Sequence, residues 1–122
     1  MRQDKSTSIL IIDDNPGIAK FLRLNLEKAG YGVTVVSDLV MAEEIGSAVS
    51  FDAVALASSA PGLLSGAVSN LRHDLSCPIL LYGPEIQAEE DMRLLGADAW
   101  VGQFFEPCAL SAAIAEILNK KP

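Results

Sequence analysis

The chain has 122 residues, half of them hydrophobic and a fifth charged. That is one domain's length, enough to bury about two-thirds of the unfolded surface, and the composition is globular rather than disordered. A net charge of −7 with no basic block argues against nucleic acid or an anionic membrane as a direct partner. The polar opening Met1–Thr7 and the short apolar run behind it fit neither a signal peptide nor a membrane span, so a cytoplasmic location is expected.

Ser8-Ile9-Leu10-Ile11-Ile12 reads as a strand buried on both faces, the mark of a parallel sheet. It stops at the adjacent carboxylates Asp13 and Asp14. Asn15 then has the chemistry of a helix N-cap, and Pro16 suits the first helical position, where its missing N–H costs nothing. Two acids are thus expected at the carboxyl end of a central strand, the edge where open α/β sheets collect ligands. In the first helix, Ile18, Phe21, Leu22, Leu26 and Ala29 are expected inward and Lys20, Arg23, Glu27 and Lys28 outward. Gly30 closes it as the residue after the C-cap.

Gly32–Val36 is the second strand. Ser37 or Asp38 caps a second helix running to about Ala48, with Leu39, Ala42 and Ile45 inward and Gly46 weakening its last turn. Phe51–Ala57 is a nearly all-apolar third strand, and Ser58–Gly62 a loop. Leu63 to Leu71 reads as a third helix ending near Arg72-His73-Asp74. Pro78–Tyr82 is a fourth strand broken by Gly83-Pro84, and Glu85–Leu95 an acidic helix ended by Gly96. Ala99–Gly102 is a short fifth strand. Pro107 opens a last helix whose Leu110, Ile114, Ile117 and Leu118 share a face.

Five strands alternating with five helices over short loops predict a single doubly wound α/β domain over residues 1–122, with a five-stranded parallel sheet of flavodoxin-like order 2-1-3-4-5. Cys77 at a strand start and Cys108 at a helix start then lie at opposite edges of the sheet. No disulfide is expected, and one histidine in the chain leaves a zinc site short of ligands.

Nucleotide and flavin chemistry is disfavoured. Neither a GxGxxG turn nor a GxxxxGK[ST] loop occurs, and Asp13-Asp14-Asn15-Pro16 would repel a phosphate unless a metal intervened. Paired carboxylates can instead hold Mg²⁺, which completes its octahedron with water and substrate phosphate.

Ile9–Asp14, the Glu27-Lys28-Ala29-Gly30-Tyr31 helix end, Phe51-Asp52, Pro61-Gly62, and Gly96-Ala97-Asp98 followed by an aromatic, Phe105 and Pro107 together resemble bacterial response-regulator receiver domains over nearly the whole chain. The resemblance implies transfer of a phosphoryl group from a histidine kinase onto an Asp ending the third strand. It also implies Mg²⁺ on two acids, a hydroxyl ending the fourth strand and a lysine ending the fifth. Asp13 and Asp14 match the metal-binding acids. The phosphoacceptor position is Ala57, the hydroxyl position Gly83 and the lysine position Gln103, followed by Phe104 where the family usually has proline. A methyl group cannot form an acyl phosphate. Without the lysine, the developing charge also has no positive partner.

The resulting expectation is a pseudo-receiver: a non-enzymatic signalling module of the two-component type that works by protein–protein contact, without a cofactor beyond a weak or vestigial Mg²⁺ on Asp13 and Asp14. Its expected surface is the face made by the acidic helix, the fifth strand and the last helix, with Trp100, Phe104, Phe105, Glu89 and Glu90. Two alternatives stand beside it. One is an active phosphotransfer receiver using an unusual acceptor such as Ser58 or Ser59; the other is a small nucleotide binder on the same fold.

Overall fold

The computed structural model describes residues 7–57, 67–83, 97–101 and 107–119. Its elements in chain order are β1 (Ser8–Ile12), α1 (Pro16–Lys28), β2 (Gly32–Val36), α2 (Leu39–Gly46), β3 (Ala53–Ala57), α3 (Ala67–Leu75), β4 (Ile79–Tyr82), β5 (Ala99–Val101) and α4 (Pro107–Asn119). The five strands form one sheet in the order β2-β1-β3-β4-β5, and every neighbouring pair is parallel. That is the order expected from the pattern of elements. The acidic helix expected over 85–95 lies outside the described residues.

The central strands read as unbroken aliphatic runs because both of their faces are covered. Leu10, Ile12, Val54, Leu56, Ile79 and Leu81 pack with Leu39 and Ala42 of α2 and Val68, Leu71 and Leu75 of α3. The alternate residues Ile9, Ile11, Ala53, Ala55, Ala57, Leu80 and Tyr82 pack with Ala19, Leu22 and Leu26 of α1 and Leu110, Ile114 and Ile117 of α4. The period-two alternation of strand side chains thus divides one apolar sheet between two half-cores. Each large aliphatic so buried contributes about 1.5–3 kcal/mol.

The helix ends follow the sequence chemistry. Asn15 Oδ1 accepts from the amides of Gly17 at 3.0 Å and Ile18 at 3.1 Å, satisfying two donors that the first turn would leave open. At the other end the Gly30 amide donates to the Glu27 carbonyl and that of Tyr31 to Leu26. Gly30 itself sits at φ 103°, a backbone setting that favours glycine. Asp38, rather than Ser37, caps α2, accepting from the Met41 amide at 2.8 Å.

Three expectations are corrected. Ile18, Phe21 and Ala29 do not face inward: Ile18 and Phe21 are 44% and 54% exposed, Ala29 is the exposed C-cap residue after α1, and Ala19 is buried instead. The apolar residues of α1 spread around most of its circumference, so periodicity picks out Leu22 and Leu26, which are buried, but not Ala19. Phe51 precedes β3 rather than starting it, although it is buried. Helix α3 runs on through Arg72-His73-Asp74 to Leu75, and Ser76 follows at φ 56°.

Two carboxylates fasten strand ends. Asp52 Oδ2 accepts from the Ser8 amide at 2.8 Å. Asp98 Oδ2 accepts from the buried Ile79 amide at 2.8 Å and from Arg72 Nε at 2.8 Å, tying the end of α3 to the start of β4. The Asp98 carboxylate raises the already high Arg72 pKa through this hydrogen bond and its charge. Cys77 is buried, while the side chain of Cys108 lies outside the described residues. No described helix is long and apolar enough to cross a membrane.

Candidate functional site

The parallel sheet brings the carboxyl ends of β1, β3 and β4 side by side. In register, Ile12 pairs with Leu56 and Ala57 with Tyr82, so Asp13, Ala57 and Tyr82 come together at one edge. The Asp13 amide extends the ladder by donating to the Val36 carbonyl at 3.1 Å. Its side chain is 4% exposed and is the buried charged group among the described residues. A buried carboxylate needs its lone pairs met. Oδ1 accepts from the Asn15 amide at 2.9 Å, and Oδ2 accepts the Tyr82 hydroxyl at 2.7 Å. Asp14 is exposed.

Ala57 and Tyr82 point to the same face of the sheet, into the half-core of α1 and α4. The alanine side chain is small, and the tyrosine ring lies alongside it. Burial pushes the Tyr82 phenol well above its ordinary 10.0, reinforced by the hydrogen bond to Asp13 and the negative charges of Asp13 and Asp14. At any ordinary pH this hydroxyl is therefore a donor, and Asp13 is its acceptor.

Gly83 follows with φ 133°, its amide donating to the Val101 carbonyl at 3.2 Å. That backbone setting suits glycine and strains any L side chain. The hydroxyl position of the receiver pattern is thus shaped for the absence of a side chain. An open cleft of about 520 Å³ lies beside the acids, with Lys20 and Arg23 of α1 on one wall and Ser37 and Met41 at the start of α2 on the other.

The described residues do not fit a resident magnesium ion. Asp13 already spends one carboxylate oxygen on an amide and the other on a phenol. The third acid is a methyl group at Ala57, and no three His, Cys, Asp or Glu side chains converge among the described residues.

Of the residues expected to matter, Asp13, Asp14, Ala57 and Gly83 meet at this edge. Trp100 stands apart on β5, half-buried against the half-core of α2 and α3. Ser58, Ser59, Glu89, Glu90, Gln103, Phe104 and Phe105 lie outside the described residues. Sequence reasoning missed Tyr82. Its signal was available: a tyrosine ends a strand otherwise made of Ile79, Leu80 and Leu81, and a buried phenol must find an acceptor.

Neither a protein-family model nor a curated protein matches this sequence at a significant level. Solved structures do. Chemotaxis protein CheY4 of Vibrio cholerae superposes with a TM-score of 0.80 at 23% identity, covering 91% of this chain and 98% of that one. The chain has the receiver fold. The receiver domain of a Pseudomonas aeruginosa sensor histidine kinase gives 0.79 at 21% identity over 93% of this chain and 98% of its own, and carries a magnesium ion in its active-site cleft. Full-length FixJ from B. japonicum gives 0.78 at 26% identity, covering 96% of this chain and 60% of FixJ. The structural neighbours thus include two-component response-regulator receiver domains.

Proposed function

We propose that this chain is a receiver-type signalling module of the two-component kind that acts by binding another protein and is not switched by aspartyl phosphorylation. The observation that carries this reading is Ala57, a buried methyl group at the carboxyl end of β3, where the receiver resemblance requires a nucleophilic carboxylate. Two further features support it. Gly83 has a backbone unsuited to the hydroxyl residue of the pattern, and Gln103 supplies no positive charge for a phosphoryl oxygen. With no nucleophile, the module is not an enzyme and needs no cofactor. Any Mg²⁺ on Asp13 and Asp14 is weak or vestigial.

The contact surface in this reading includes Trp100 on β5; its further expected anchors Phe104 and Phe105 and steering charges Glu89 and Glu90 lie outside the described residues. The module works in the cytoplasm, in the same compartment as its partner.

The chemical half of the reading is tested by incubating the wild-type protein with acetyl phosphate and Mg²⁺. Its mass is expected to stay unchanged. A stable gain of one phosphoryl group overturns the proposal and returns function to an unusual acceptor.

A further inference from the structure

The carboxyl edge of the sheet contains a contact that the lost phosphorylation chemistry does not explain. Losing the acceptor carboxylate would leave Asp13 buried beside a vacated volume with one oxygen unmatched. Instead, Tyr82 fills the space next to Ala57 and delivers its hydroxyl to Asp13 Oδ2 at 2.7 Å. The ring is 2% exposed and Ala57 3%, so the pair sits within the packed half-core of α1 and α4 rather than on the surface.

We infer that the Tyr82 hydroxyl is a built-in occupant of the acidic cleft: it takes the Asp13 oxygen that a divalent cation would need, and so holds the edge of the sheet in a single, metal-independent state. The inference deepens the interaction-module reading and rests on it for its meaning, since a module without phosphorylation gains from a cleft that does not respond to free cations.

The cation and the Tyr82 hydroxyl compete for the same carboxylate oxygen. A divalent cation in such a cleft must be held by carboxylate oxygens. Asp14, being exposed, is the remaining described acid at this edge. To bind through Asp13 Oδ2, the cation must compete with the short hydrogen bond from the Tyr82 hydroxyl to that carboxylate oxygen, among the stronger kind in proteins. It must also leave the phenol without that acceptor in a buried setting. Register enforces the pairing. Tyr82 is the partner of Ala57 across β3 and β4, so the ring cannot leave without opening the half-core.

The test uses Mn²⁺ as a paramagnetic probe, titrated into the wild-type chain and into Tyr82→Phe, Ala57→Asp and the double variant. The phenylalanine keeps the ring and frees Asp13 Oδ2. The double variant is expected to bind Mn²⁺ about tenfold or more tighter than Ala57→Asp alone, the effect of removing one competing charged hydrogen bond. Equal affinities of those two variants overturn the inference, as does wild-type binding as tight as that of the double variant. Should the double variant fail to fold, Tyr82→Phe against wild type decides in the same direction: tighter binding supports the inference and unchanged affinity overturns it. In the unmodified protein, the Tyr82 hydroxyl proton should give a slowly exchanging NMR signal that persists in excess Mg²⁺; its disappearance on adding Mg²⁺ also overturns the inference. A phosphorylated wild-type chain would end the interaction-module reading and leave the Mn²⁺ comparison standing. Equal Mn²⁺ affinities would end this inference and leave chemical inertness standing.

Discussion

A buried phenol bonded to a carboxylate gives the protein a pH signature. In the folded state Tyr82 holds its proton above the ordinary 10.0, whereas in the unfolded chain it titrates near that value. Above it, the unfolded state binds fewer protons, so stability falls as pH rises; below it, the contribution is fully present. For one group the slope approaches about 1.4 kcal/mol per pH unit. Denaturant melts at stepped pH from about 8 to 11 should therefore show a steeper alkaline loss for wild type than for Tyr82→Phe. The variant should also be about 1–3 kcal/mol less stable at neutral pH, because Asp13 Oδ2 is left unmatched. Parallel profiles would mean that the bond contributes nothing particular. The residue scale is also where the sequence was hardest to read. Asp13 could be assigned from its place directly after the first apolar run, and Ala57 and Gly83 from their places at the ends of the third and fourth. The hydroxyl of Tyr82 could not, because its partner lies 69 positions away and only the register of three strands joins them.

Between elements, close approach matters more than propensity. Gly46 in the last turn of α2 reads in sequence as a weak helix former. In the structure, a Cβ there would collide with the Leu75 side chain at the end of α3, and Leu75 belongs to the α2–α3 half-core. Gly46→Ala gains up to about 1 kcal/mol of helix propensity but overpacks this contact at a typical cost of about 1–3 kcal/mol. A net loss in thermal stability is expected, and the same change in a Leu75→Ala background should be neutral or stabilising. Helix α1 teaches the converse. Its existence and both caps were legible in Asn15, Pro16 and Gly30, but its packing face only in Leu22 and Leu26, since Ile18, Phe21 and Leu24 all remain exposed. The Asp98 clip separates two contributions. Asp98→Ala leaves the buried Ile79 amide without its acceptor and should cost about 1–3 kcal/mol. Arg72→Ala removes only a half-exposed ion pair, with Arg72 53% exposed, and should cost less than about 1 kcal/mol. Chemical denaturation of both variants checks the order, and equal losses would place the weight on the ion pair instead.

For the molecule as a whole, the aliphatic runs of β1, β3 and β4 made the parallel sheet and its strand order legible from the sequence. Runs apolar on both faces require helices above and below, and right-handed crossovers leave few ways to connect them. What such runs leave open is which helix owns which face, because every second residue looks like its neighbour. The structure divides them cleanly, and the aromatic residues follow the division. The one tryptophan of the chain, Trp100, packs against the α2–α3 side, while both tyrosines, Tyr31 and Tyr82, belong to the α1–α4 side. The two sides are thus optically distinct. Indole emission reports on one layer of the domain and phenol absorbance on the other, with the sheet between them. A single unlabelled sample can therefore reveal whether the layers melt together as one cooperative unit or separately.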